Sequence, residues 1–356
     1  MYRTASKLIK HYLALLLIAF SAILSACGQP AKQYDYSIFA FGTIINIVIY
    51  DTDKSLAESA FAQLQADFDH YHQHWSPWTT GDLAQINSKL SENTAAQLPE
   101  HLIPIIKASI ELSQQSDNFY NPAIGQLINL WQFHKYQDSD IRPPDKKIIQ
   151  KLIDKDPLMA DLSLDGNNIL STDNTAVLLN FGAFAKGYAI ELEIKRLQAL
   201  GIHNAVINAG GDLSVIGKHG DRAWNIGVRH PRKDNVLASV EVKNNESVFT
   251  SGDYERFYSY QGKRYHHILD PRTGYPTQDT QSVTVIHHDA GRADAAATAL
   301  FVAGSENWQH IAKNMQIRYV MLIDSAGNIH MSPEMQKRIK FLNKPPTSHI
   351  ILSEEL

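Results

Sequence analysis

Residues 180–212 read NFGAFAKGYAIELEIKRLQALGIHNAVINAGGD, and the fold turns on how this stretch is read. Leu178 and Leu179 lead into Asn180 as a strand end. The loop at 181–186 carries a small residue at every second position or closer. Ala185, Ala189 and Leu192, with Ile190, Ile194 and Leu197, then recur at the three- and four-residue spacing of a buried helix face. Gly201 stands where a left-handed cap ends such a helix. Residues 205–207 form a short apolar strand, and Gly210, Gly211 and Asp212 turn out of it. A small-residue loop that opens a helix lets backbone N–H groups approach an anion, which points to a nucleotide. The same pattern also fits an ordinary strand–helix–strand unit.

Upstream, residues 36–50 (YSIFAFGTIINIVIY) are β-rich, with Ile45, Ile47 and Ile49 alternating as in a buried strand. Residues 56–72 have helical spacing, and a loop with Trp75 and Trp78 follows. His70, His72 and His74 alternate, but a period of two at a helix end does not bring three imidazoles to one point, so this run predicts no metal site. Residues 82–87 and 100–116 read as helices, 119–131 as a turn and short helix, and 163–173 as a hairpin. Downstream, 224–231 and 238–242 are strand candidates, and Gln261-Gly262-Lys263 is the turn of a hairpin. Residues 282–287 read as a strand, 292–302 as a helix ending near Gly304, and 318–328 as the start of a final hairpin. Strands and helices interleave without the strict alternation of a doubly wound sheet. The expected class is therefore α+β: one large domain of mixed and antiparallel sheets with flanking helices.

The chain has 356 residues, 44% of them apolar and 20% charged, as in a folded globular protein. A net charge of −4 gives no reason to expect nucleic acid. Arg3, Lys7 and Lys10 precede an apolar run at 13–24, too short for a bilayer span of about 20 residues but suited to a signal peptide. Leu24-Ser25-Ala26-Cys27 resembles a bacterial lipobox, and Cys27 is the single cysteine, so disulfides and cysteine metal sites are excluded. The expected organisation is a signal peptide at 1–27 with Cys27 lipidated, a tether at 28–35, the folded domain at 36–340 and a tail at 341–356. The folded part is expected in the periplasm, held to the inner or outer membrane by acyl chains.

Several residues offer chemistry. Asp294 and Thr298 lie four apart on a predicted helix, so they share a face and supply hard oxygens of the kind Mg²⁺ takes; a helix-start Asp with a back-bonded Thr gives the same spacing. His266 and His267 precede Asp270; in a strand they point to opposite faces, so only one can serve a given site. Asp253 and Glu255 could hold ribose or adenine groups, Lys186 could meet a phosphate, and Trp78 could stack on a ring.

Taken in order, these segments resemble the ApbE family of flavin transferases (FAD:protein FMN transferase). The matching motifs are FGTIINI at 41–47, NPAIGQLINLW at 121–131, NFGAFAKGYAIE at 180–191 with NAGGD at 208–212, WNIGVRHP at 224–231, TSGDYERFYSYQGKRYHHILDPRTGYP at 250–276, and SVTVIHHDAGRADAAATALFVAG at 282–304. The resemblance implies binding of FAD and Mg²⁺, transfer of FMN onto a Thr or Ser hydroxyl of an acceptor protein, and release of AMP. It implies a metal held by the Ala183 carbonyl, Asp294 and Thr298, and FAD contacts from Phe41, Trp78, Asn121, Pro122, Ala123, Asn180, Lys186 and Ile268. His267 would be the general base, with Asp270 as its orienter. Acceptors implied are subunits of exported redox complexes of the NADH:quinone oxidoreductase type. The chain departs from the family pattern at Phe41, usually Met, at Trp78, often Tyr, and at Asn121 and Asn180, where Asp is common. The two amides keep hydrogen bonding and lose charge, which bears on nucleotide selectivity. Two other readings use the same residues: a Mg²⁺-dependent FAD pyrophosphatase with water as acceptor, and a non-catalytic FAD-binding lipoprotein.

Overall fold

A computed structural model describes residues 32–135, 140–343 and 349–356. The signal segment and Cys27 lie outside the described residues. The frame is a nine-stranded sheet whose spatial order follows the chain. Its strands are β1 (Gln33–Ala40), β2 (Thr43–Tyr50), β3 (Ala205–Ala209), β4 (Asp212–Ile216), β5 (Ser247–Gly252), β6 (Thr280–His287), β7 (Tyr319–Asp324), β8 (Ile329–Met331) and β9 (Ile350–Leu352). Neighbours pair antiparallel throughout, except that β8 and β9 run parallel. The α+β expectation holds, and the sheet is mixed through that last pair.

The alternation of β2 sorts its side chains between two cores. Ile45, Ile47 and Ile49 are buried on the face covered by helices, while Tyr50 and Val48 face the other way. The helical face is covered by α1 (Lys54–His74), α2 (Ala185–Ala199) and α3 (Ala290–Asn314). Ala293, Ala296, Ala297 and Ala299 keep α3 thin, so it lies close to the sheet and to α2. Asp289 caps α3 by accepting the Arg292 N–H at 2.7 Å. The helix bends at Gly304 (φ 69°) and runs on to Asn314, well past its expected end. The opposite face is covered by a small antiparallel sheet of Trp224–Arg229, Val236–Val242 and Ile339–Phe341. A third cluster gathers Leu127, Trp131, Ile149, Tyr258 and Leu269 under the hairpin Phe257–Tyr260/Lys263–His266.

Both ends expected to be irregular take part in the sheets. Gln33–Ala40 includes the last residues of the expected tether, and Ile350–Leu352 of the expected tail adds an edge strand. Among the described residues, no helix is long and apolar enough to cross a membrane.

Candidate active site

Lys186, in the first turn of α2, forms an ion pair with Asp212 at the start of β4 and lies 3.5 Å from the Asp294 carboxylate on α3. Asp294 is buried, and its other oxygen accepts the Gly187 N–H at 2.9 Å. A Cβ on Gly187 would stand 2.3 Å from the Ala290 carbonyl and 2.7 Å from Asp294 Cβ, so only glycine lets α2 come this near α3. Asp212 also accepts the Thr250 N–H at 2.8 Å, which ties the cluster to the C-terminal end of β5. The next residue, Ser251, is hydrogen-bonded to Thr298 at 3.2 Å. Asp294 and Thr298 thus face one polar cluster together with Lys186, Asp212 and Ser251.

The electrostatics follow from burial. Loss of water pushes the Asp294 carboxyl up, Lys186 opposes this, and Asp212 adds to it; the result is a pKa of about 6. Burial alone would pull Lys186 down, but the charges of Asp212 and Asp294 outweigh it and hold the ammonium above its usual range. Lys186 is therefore neutralised by two carboxylates, where the sequence suggested a partner for phosphate.

The loop ahead of α2 leaves an oxygen free. The Gly187 N–H, which in a regular helix would bond four residues back, goes to Asp294 instead. Among the described residues no backbone N–H is bonded to the Ala183 carbonyl. A buried, under-compensated carboxylate, a hydroxyl and an unspent carbonyl form a hard oxygen set that fits Mg²⁺.

His267 stands beside this cluster. Burial comes first, followed by the positive charges of Arg256 and His266, and Lys186 adds to the effect; together they hold its imidazole well below the usual histidine range. Its Nδ1 is buried and makes no hydrogen bond. His266 points elsewhere, with Nε2 against the Thr277 carbonyl at 2.7 Å and its ring edge-on to Phe301. The expected pairing of Asp270 with His267 is not formed. Arg272 takes both Asp270 oxygens at 2.9 and 2.8 Å, and the Asp270 carbonyl accepts from Thr273 and Gly274, so this residue builds the turn after His267. A carboxylate followed by Pro271-Arg272 is closer to the arginine two residues on than to an imidazole three residues back.

Other expected contacts divide into rim and scaffold. Phe41 has φ 53° in the β1–β2 turn, donates its N–H to His72 Nδ1 at 3.2 Å and sets its ring edge-on to that histidine. Trp78 is 50% exposed just beyond α1. Glu255 is at the surface, its carboxyl raised by local desolvation and then by Asp212. By contrast, Asn121 and Asn180 are buried and serve the chain: Asn121 bonds Ala123 N–H and the Pro157 carbonyl, and Asn180 accepts Gly182 N–H at 2.9 Å. The Pro122 and Ala123 carbonyls accept the Asn180 and Leu178 N–H groups. Ile268 is packed in the main core. Asp253 is held bidentate by Arg232 at 2.7 and 2.6 Å and lines a separate cleft with Arg264 and Gln281.

The ApbE family profile matches residues 41–321. This chain belongs to the ApbE family. A protein from Rhodobacter capsulatus named FAD:protein FMN transferase is 35% identical over 311 residues, which cover 87% of this chain and 59% of that longer protein. One of the same name from Vibrio cholerae is 28% identical over 315 residues, covering 87% and 93%. The crystal structure of the ApbE protein from Thermotoga maritima superposes with a TM-score of 0.76 at 30% identity, covering 88% of this chain and all of that one (100%). That of the Pseudomonas stutzeri flavinyl transferase ApbE in apo form gives 0.72 at 27%, covering 83% and 92%. The match spans both halves of the ApbE cluster, from Lys186 to Thr298. Sequence reading gave no role to three residues that build it. Asp212 was read only as the end of a Gly-Gly turn, though a lone acid there faces Lys186. Gly187 and Ser251 carried no spacing signal, since each acts through a contact distant in sequence. Asn87 was missed as well; its buried amide bonds both backbone groups of Leu179, at 2.9 and 2.8 Å, and steadies the approach to Asn180.

Proposed function

We propose that this protein transfers FMN from FAD to a Thr or Ser hydroxyl of an acceptor protein in a Mg²⁺-dependent reaction. The acceptor oxygen forms a bond to the FMN phosphorus, the pyrophosphate P–O bond breaks, and AMP leaves. The observation that carries the reading is the buried Asp294, raised to about 6, one turn from Thr298 on α3 and bonded to the Gly187 N–H, which leaves the Ala183 carbonyl without a backbone partner. These three would hold Mg²⁺, which when bound neutralises charge on the pyrophosphate oxygens. Lys186 balances the two carboxylates and keeps them in place. His267, neutral at physiological pH, accepts the proton of the acceptor hydroxyl. Phe41 and Trp78 supply apolar ring surface for the flavin or adenine.

The Leu24-Ser25-Ala26-Cys27 run supports lipidation at Cys27 and a folded part in the periplasm. There the acceptors would be exported redox-complex subunits of the NADH:quinone oxidoreductase type. The reading is tested by following AMP against free FMN in FAD, Mg²⁺ and an excess of an acceptor domain. AMP without matching free FMN is expected; equal release of both would mean that water is the acceptor.

A further inference from the structure

A second group of ligating side chains lies away from Asp294. His70 and His74 stand one turn apart on α1, their rings 4.4 Å between centroids. His101, in the short 3₁₀ turn Glu100–Leu102, brings its ring to 5.0 Å from His70 and 5.7 Å from His74. Asp82, first residue of the helix Asp82–Ser91, places one oxygen 2.7 Å from His74 Nδ1 and 3.3 Å from His101 Nε2. The ligand atoms of His74, Asp82 and His101 all lie within 4.8 Å of one another. His101 Nε2 is closed off from solvent and makes no hydrogen bond, since its approach to Asp82 is not aligned as one. The alternation of His70, His72 and His74 hid this arrangement. His72 turns to the Phe41 N–H, while the i, i+4 pair meets ligands from two other elements.

We propose that His74, Asp82 and His101 bind one divalent transition-metal ion of the zinc class, with His70 turning from its place against the His74 ring to become the fourth ligand. Imidazole nitrogens with one carboxylate are the donors such ions take, whereas Mg²⁺ prefers an all-oxygen shell. Ligands about 2.0–2.1 Å from a tetrahedral ion lie roughly 3.4 Å apart, so the 3.3 Å between His101 and Asp82 already matches one edge of the site. The ion would join three elements: α1, the helix Asp82–Ser91 and the turn Glu100–Leu102. His74 and Asp82 also bracket the loop at 75–81, which carries Trp78. That loop is already drawn in by the Thr79 hydroxyl, which donates to the Gln73 carbonyl at 2.6 Å, and Gly81 packs against the Gln73 backbone. A bound ion therefore fixes both ends of the segment that presents Trp78.

The test is Zn²⁺ titration of the full folded chain, freed of metal by chelation, followed by calorimetry, with Co²⁺ as a spectroscopic probe. One tight Zn²⁺ equivalent and a four-coordinate Co²⁺ visible band are expected. His101→Gln should weaken Zn²⁺ by more than the roughly 10–100-fold that follows loss of an outer-shell partner. His70→Gln, at an exposed position where folding is not at stake, should weaken it too. Asp294→Asn should leave Zn²⁺ affinity and the Co²⁺ band unchanged, which separates this site from the flavin site. Absence of tight Zn²⁺ binding, or affinity unchanged in both His70→Gln and His101→Gln, would overturn the proposal.

Discussion

At the scale of single residues, Asp294 concentrates the chemistry. A carboxylate 5% exposed keeps its charge only if something compensates for lost water. Here one ammonium and one backbone N–H do so in part, and the carboxyl settles near 6. Protons and metal then compete for it. Since the carboxyl is raised, Mg²⁺ affinity should be constant above pH 7 and fall about tenfold per unit below pH 6; Mg²⁺ titrations across that range check it. His267 is held well below the usual range and is already neutral there, so the acid limb of the rate profile should move to lower pH as Mg²⁺ is raised. Asp294→Asn keeps an acceptor for the Gly187 N–H and so should fold, but Mg²⁺-dependent turnover should drop on the order of 100-fold or more. His267→Gln should slow transfer by about 10²–10⁴ while FAD binding, followed by flavin fluorescence, is retained. The shared face of Asp294 and Thr298 was legible because helical spacing displays it within one short segment. Asp212 and Asp270 were not, because the partner that fixes each role, Lys186 or Arg272, is decided by tertiary or turn geometry.

At the scale of elements, the site depends on how closely α2 and α3 approach. Gly187→Ala would place a methyl 2.3 Å from the Ala290 carbonyl, contact that backbone cannot yield cheaply. The cost should be about 1–3 kcal/mol by denaturant unfolding, with a larger proportional loss of Mg²⁺ affinity because Asp294 shifts with α3. The 3.6-residue period announced α1 and α2, and strict alternation announced β2 and β6. The extension of α3 past Gly304 was hidden, because a single glycine at φ 69° bends the helix without ending it. The pairing of Ile339–Phe341 with Val236–Val242 was also hidden: three residues carry too little pattern to name a partner a hundred positions away.

At the scale of the whole molecule, the sheet lays its strands out in chain order, and the site gathers at one end of it. The start of β4, the end of β5, the first turn of α2 and the N-terminal half of α3 meet there. Residues 186 to 298 therefore contribute to one cluster, so its members are far apart in sequence and are joined only by the fold. Intact-mass spectrometry of a separately expressed acceptor domain, incubated with FAD, Mg²⁺ and either the wild-type chain or Asp294→Asn, tests the central claim most directly. The account predicts an acceptor heavier by one FMN phosphoester on a Thr or Ser with the wild type and an unmodified acceptor with the variant. An unmodified acceptor with the wild type while FAD is consumed, or equal modification by both chains, would contradict it.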